Sequence, residues 1–401
     1  MMGRCKGKAR EMSVRDGRTG WTKASIGRGS AATLSHGLVL MSIAVFLSAW
    51  STRSDAVVGS ERPAAILVFP LIALDTGAGS NRDTEIEIAN TQSTEVAVEC
   101  FYVNGLGSCS ASLTVCETAA DCPVGENCVV GWQTTDFLFK LTPRQVISWR
   151  AGQGLPQLPC DPAFPGPSCL GESAGSIPST PTDPFLGELK CVEVSDTVNP
   201  VPVAANDLIG TATIVDHAGP DAASYSAIGI ESTGVNNHDL VLCLGAGGST
   251  CPQAEYAPCP AVLGMNHFFD NATVVNGTVR SSVTLVPCSQ DFAGQQPTSA
   301  VATFMITNEF ELRTSLAVSV RCFRDLHLAE NPIFGVALQG SLAGYTRIQG
   351  ITNGPINVPL LGVVTEEHTP TGGGAARRAA FGLTALGRNP GADIITLPAL
   401  P

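Results

Sequence analysis

Lysine all but vanishes after residue 56, where only Lys140 and Lys190 remain. The first 56 residues carry nine Lys or Arg and three acids, a net of +6, against −12 for the whole chain; the rest therefore carries −18. A body that acidic repels phosphate backbones and anionic lipid, which excludes nucleic-acid binding as its main business. Helical periodicity is almost absent, and with it go helical bundles and alternating α/β folds. The sequence holds no phosphate-cradling loop, no dinucleotide fingerprint and no D-x-[DN]-x-[DN]-G calcium loop. No cofactor and no resident metal are expected.

No apolar run reaches the roughly 20 residues of a membrane-spanning helix. The segment LVLMSIAVFLSAW, residues 38–50, has thirteen. Preceded by a basic stretch and followed by small residues, it has the layout of a secretory signal. Ser54 and Ala56 suit positions −3 and −1 of a cleavage site, and Ala49 is a second candidate; an uncleaved anchor is the competing reading. Met12 offers an alternative start, no cysteine follows at lipobox spacing, and no twin arginine precedes. The expectation is export to the periplasm, the cell surface or the medium, with no membrane span in the mature chain.

Cysteine, by contrast, is plentiful. Of 14 cysteines only Cys5 lies in the leader, and thirteen in an exported acidic body point to disulfides. The candidates are Cys100, Cys109, Cys116, Cys122, Cys128, Cys160, Cys169, Cys191, Cys243, Cys251, Cys259, Cys288 and Cys322. Local pairs are expected for Cys160 with Cys169, and for Cys251 with either Cys243 or Cys259. Cys100, Cys191, Cys288 and Cys322 fall in predicted strands. An odd total leaves one thiol over, or a bridge to another molecule.

The chain also repeats itself. TEIEIANTQSTEVAVECFY (84–102) recurs as TFMITNEFELRTSLAVSVRCF (303–323), with Asn90 on Asn308 and Cys100 on Cys322. Apolar residues alternate with polar ones on both sides of a polar turn, so each copy predicts a β-hairpin. Elsewhere PFLGEL (184–189) matches PLLGVV (359–364), and IGTATI (209–214) matches FGLTAL (381–386). Two copies of about seven strands predict an all-β protein of two tandem, internally duplicated, immunoglobulin-like β-sandwich domains. The boundaries would be a signal over 1–56, a first domain over 57–232 with a cysteine knuckle at 109–128, a cysteine-containing linker over 233–262 and a second domain over 263–401. One large sandwich or barrel shared by both halves is the alternative.

Several groups of residues are candidate sites. Cys116, Cys122 and Cys128 are spaced C-x5-C-x5-C, and five-residue gaps do not suit zinc, which takes ligand pairs two to four apart. With the string DCPVGENC the segment resembles the small disulfide knuckles of secreted proteins, a resemblance that implies packaging and no chemistry. Gly171 to Gly175 spells the G-x-S-x-G of a serine hydrolase around Ser173, but with no strand before it and no helix after. His238 with Asp239, His267 with Asp270, and Glu366-Glu367-His368 are the densest polar clusters, suited to acid–base work or equally to turns. Bases for Ser173 are sought among these histidines together with His217 and His327. Trp132 and Trp149, with Tyr102 and Tyr345, are the rings available to line a sugar site; in a chain with 6% aromatics they are as readily core.

Leader, knuckle and I-x-N…V-x-V-x-C-F strands together resemble the β-rich secreted proteins of bacteria, a resemblance that brings no catalytic residue with it. The expected function is non-enzymatic: an exported surface or extracellular protein with a binding or scaffolding role toward an extracellular glycan or cell-envelope component. A secreted hydrolase of polysaccharide or ester bonds is the alternative, and polymerisation at the surface a third.

Overall fold

In the computed structural model, residues 57–401 are described except 61, 78–80, 113, 117–121, 130–131, 157–174, 218, 220, 275, 353–356 and 400–401. The described residues form one compact unit. The chain is all-β, as its alternation predicts, but its sheets are arranged as a five-bladed β-propeller and not as tandem β-sandwiches.

Blade 1 has six strands in the order Val58–Gly59, Ile228–Ile230, Ile66–Leu74, Phe185–Val194, Val96–Asn104, Gln133–Leu141. Blade 2 runs Asp221–Ser226, Leu208–Asp216, Arg82–Asn90, Val146–Arg150. Blade 3 is small: Val241–Leu244, Asp393–Thr396, Gln290–Asp291. Blade 4 runs Arg313–Arg321, Ser299–Asn308, Ala343–Ile351, Pro260–Phe268, Thr384–Arg388. Blade 5 runs Ala272–Val274, Gly277–Pro287, Leu360–Pro370, Arg377–Gly382, with Arg324–His327 also paired to Gly277–Pro287.

Two findings overturn the sandwich pair. The repeated segment does not fold the same way twice. Ser299–Asn308 and Arg313–Arg321 pair as the expected hairpin. Arg82–Asn90 and Val96–Asn104 do not pair, because the first joins blade 2 and the second blade 1. Blade 3, moreover, takes strands from residues 241–244, 290–291 and 393–396, so distant stretches complete one sheet. Period-2 alternation says which face of a strand is buried, and it is silent about the partner that buries it. What the two copies do share is the turn chemistry. Asn90 Oδ1 accepts from the Gln92 N–H and Asn308 Oδ1 from the Phe310 N–H, the same asparagine turn in both.

The apolar run Ile66–Leu74 is buried at every position, flanked by strands on both sides. Pro70 interrupts it, having no N–H for the ladder. The register to Phe185–Val194 slips at this point, between Gly187 and Leu189, leaving Pro70 and Leu71 opposite the single Glu188. Tyr225 of blade 2 reaches the same place: its hydroxyl donates to the Leu71 carbonyl at 2.6 Å and accepts from the Leu71 N–H at 3.1 Å. Thr84 Oγ1 likewise donates to Ala73 O and accepts from Ala73 N, both at 2.9 Å. Ile228–Ile230 pairs only with Ile66–Val68, and beyond it these backbone groups of Leu71 and Ala73 are answered by side chains of the neighbouring blade. The larger apolar core extends from Ala64 to Leu397, and a second gathers Leu263, Phe269, Phe304, Ile348 and their neighbours.

Among the described residues five disulfides close: Cys100–Cys191, Cys109–Cys122, Cys116–Cys128, Cys243–Cys251 and Cys259–Cys288. Cys251 therefore takes Cys243, and Cys259 is tied to Cys288. Cys160, Cys169 and Ser173 lie outside the described residues. The knuckle is a three-stranded patch of Gly107–Cys109, Val115–Cys116 and Cys128–Val129 held by two bridges. The sulfurs of Cys109, Cys116 and Cys122 come within 4.8 Å of one another, but each is spent in a disulfide and no thiolate remains for zinc. Bonds of this kind belong to an oxidising compartment. No helix of the described residues is long and apolar enough to cross a membrane.

Candidate functional site

The sequence-predicted residues do not converge. Trp149 is core: it is buried, and its Nε1 donates to the Tyr102 hydroxyl at 2.7 Å. Trp132 is half-buried and lies over the Phe292 ring with centroids 6.2 Å apart, so much of its surface faces protein. His238 has φ 62°, and its N–H donates to Asn236 Oδ1. Asp239 Oδ1 accepts from the Val241 N–H and its Oδ2 from Asn237 Nδ2. That cluster is a turn built from its own side chains.

His267 is buried between the rings of Phe269 and Phe334. Its Nδ1 lies 3.0 Å from the Phe268 carbonyl and its Nε2 2.8 Å from Thr346 Oγ1, which uses both ring nitrogens. Burial pulls its pKa down to about 4, so it is a neutral ring near pH 7. Asp270 is buried too, with Oδ2 accepting from Asn271 Nδ2 and a pKa raised by burial.

A better constellation lies in a cavity of about 230 Å³ where blades 1, 2 and 5 meet. Alternation on the central strand Gly277–Pro287 builds it. Val279, Ser281 and Val283 are buried, so Arg280 and Ser282 project from the other face. Register sets Ser282 opposite both His327 and Thr365, and Arg280 opposite Glu367. Ser282 Oγ lies 2.7 Å from His327 Nδ1, and Asp325 Oδ2 stands 4.0 Å from His327 Nε2. Thr284 Oγ1 donates to Asp325 Oδ1 at 2.8 Å and fixes that carboxylate. Leu71, Ala73, Leu186, Ile214 and Ala223 supply the apolar lining, while Arg82, Arg280, Glu366 and Arg378 supply charge.

Arg378 closes one side. Its guanidinium reaches Glu367 at 3.0 Å on its own blade, and Asp221 at 3.3 Å and Asp216 at 3.5 Å on blade 2. Glu366 Oε1 accepts from the Phe268 N–H at 3.4 Å, and burial raises its pKa. Ser, His and Asp stand in the order of a nucleophilic triad, but two features weaken that reading. The His–Asp separation exceeds a hydrogen bond. Ser282 also sits mid-strand with ladders on both sides, so the next residue, Val283, lies within the sheet and its N–H is not free to serve as the oxyanion donor that follows an elbow serine.

Sequence reasoning named His327, Glu366 and Glu367 without bringing them together, and it missed Ser282, Asp325 and Arg280. The available signal was RSSVT at 280–284, polar at alternate positions of a strand otherwise bound for the core. Comparison with models of known protein families finds no match, and no curated protein is detectably similar in sequence.

Proposed function

We infer that this is an exported, non-enzymatic binding protein that holds a glycan unit in the cleft between blades 1, 2 and 5. One observation carries the reading: an apolar floor rimmed by interleaved donors and acceptors, Arg280, Ser282, His327, Asp325 and Glu366. Sugar hydroxyls are donors and acceptors on an apolar carbon frame, and such a rim answers both. At about 230 Å³ the cavity falls below the roughly 300–1,000 Å³ of drug-sized sites, a size for one sugar unit or a chain end. Five disulfides support a working place outside the cytosol, at the cell envelope or beyond.

The test is retention of the disulfide-intact exported protein on insoluble polysaccharides and washed cell envelopes. Retention that soluble glycan competes away, and that falls at least tenfold in Arg280→Ala/Ser282→Ala, is the expected result. Retention unchanged in that variant, or none on any matrix, rejects the cleft as the site. The 2.7 Å contact of Ser282 with His327 sustains a second reading, ester hydrolysis. Turnover of a chromogenic ester that Ser282→Ala abolishes would establish it in place of binding.

A further inference from the structure

The first described residue, Val57, is held at the edge of blade 1. Val58–Gly59 pairs antiparallel with Ile228–Ile230, Val58 facing Ile230, and the register carries on so that Val57 meets Glu231. The Glu231 N–H donates to the Val57 carbonyl at 3.2 Å. Glu231 then turns its side chain back across the pair, and Oε2 accepts from the Val57 nitrogen, also at 3.2 Å. Only 12% of the Glu231 side chain is exposed, and Arg62 Nη1 stands 3.8 Å from its other oxygen. A carboxylate enclosed this far is a strong acceptor for a backbone nitrogen, and a stronger one for an ammonium.

Sequence and structure meet at one bond here. Ser54 and Ala56 suit positions −3 and −1 of an export signal, which makes Val57 the first residue after cleavage. Val57 is also where the nitrogen facing Glu231 belongs. We propose that the Ala56–Val57 peptide bond is the processing site, and that Glu231 is a receptor for the α-ammonium which cleavage creates. The step is a hydrolysis by a signal peptidase. Water adds across the C–N bond, its oxygen goes to the Ala56 carbonyl carbon, which leaves as a carboxylate, and Val57 leaves as an amine that takes up a proton. The neutral N–H donor of the precursor becomes a cation at the same place, and a hydrogen bond becomes a charge-assisted ion pair. A cavity of about 450 Å³, lined by Val57, Val58, Glu231 and Leu383 among others, leaves room for the ammonium's extra protons. Processing would thereby tighten the edge strand of blade 1 onto Ile228–Ile230, and the mature fold would differ in stability from its precursor with no change of topology.

N-terminal sequencing of the protein exported from the full-length gene tests the first half, with Val57 expected and any other terminus overturning it. A thermal-unfolding cycle tests the second. Two residues inserted between Ala56 and Val57 keep the small residues at −3 and −1 but leave Val57 as an amide. The insertion is expected to lower Tm by roughly 2–3 °C in the natural background and to have no effect beside Glu231→Gln. Additive losses from the insertion and from Glu231→Gln would reject the receptor role. An insertion that costs nothing in the natural background would reject it equally, and that arm stands even if Glu231→Gln does not fold.

Discussion

Glu188 and Lys190, two residues apart on one strand of blade 1, face each other at 3.3 Å with both side chains wholly enclosed. Lys190 Nζ also donates to the Pro287 carbonyl at 2.8 Å, and Gln290 Nε2 donates to Glu188 Oε1. Burial raises the Glu188 pKa and lowers that of Lys190, and each charge opposes the effect on the other. Taking two charges out of water costs several kcal/mol apiece, and their attraction recovers it only while both are present. Lys190→Met alone is therefore expected to destabilise by about 3–5 kcal/mol, and Glu188→Leu/Lys190→Met to recover most of that. Urea unfolding with disulfides intact reads the difference. Equal losses in single and double variants would show that the Pro287 contact matters and the pairing does not.

Acidic groups buried without cations set the response to alkali. Burial, then Asp207, pushes the Glu193 pKa up to about 9, and burial, then Asp136, pushes Glu99 to about 7, both from an ordinary 4.5. Between 4.5 and those values the folded state binds the proton more tightly than the unfolded chain. Stability contributed by each group is complete below about 4.5 and is lost as pH rises through the folded pKa, with a slope of at most ~1.4 kcal/mol per pH unit per proton. His267 works the other way: its pKa falls from 6.5 to about 4, so its contribution is present above 6.5 and lost as pH drops through 4. Glu193→Gln is expected to flatten the decline in Tm between pH 4.5 and 9 and to leave the slope below pH 4.5 unchanged. An unaltered alkaline slope would reassign it to other groups.

Arg378 joins two blades. One guanidinium answers Glu367 on blade 5 and both Asp216 and Asp221 on blade 2, while the Arg378 N–H donates to Asp221 Oδ1 at 2.9 Å. Its side chain is 23% exposed, which places it between a surface pair and a buried one. Removing it leaves three carboxylates facing one another. We expect Arg378→Ala to cost about 2 kcal/mol, more at low salt than high, and Arg378→Lys to restore less than half, since an ammonium cannot serve three partners from one plane. A salt-independent loss would point to packing in place of charge.

How much of this could be seen in the sequence depended on the range of the interaction. Alternation at 84–90 and 303–308 marked strands correctly, and the Asn90 and Asn308 turns were legible because their chemistry is local. Local cysteine pairing was legible in part: proximity limited Cys251 to Cys243 or Cys259, and the bond is to Cys243. Partner choice was not. The same motif sends Val96–Asn104 to blade 1 and Arg313–Arg321 back onto its neighbour, and the alternation is alike in both. The cleft was hidden for a similar reason. Ser282, Asp325 and Arg378 are brought together by register between strands far apart in the chain, and a lone Ser in a strand carries no signal of its own.

One part of the internal match does extend to packing, and two glycines test it. PFLGEL and PLLGVV place Gly187 and Gly362 in central strands of blades 1 and 5, each with a neighbour on both sides. A Cβ at Gly187 would lie 2.0 Å from the Val103 carbonyl oxygen, and one at Gly362 2.3 Å from that of Thr284. Both obstacles are backbone in a hydrogen-bonded ladder, so neither can swing aside as a side chain would. Gly187→Ala and Gly362→Ala are each expected to cost about 3 kcal/mol. Gly382→Ala, where a Cβ meets nothing within 4 Å, should stay within about 0.5 kcal/mol. Chemical unfolding of the three variants decides it. Equal, large losses at 187 and 362 would mean that the repeat preserves a close approach of one strand to the next inside two different sheets. A mild effect at either would confine the resemblance between the halves to alternation and turns.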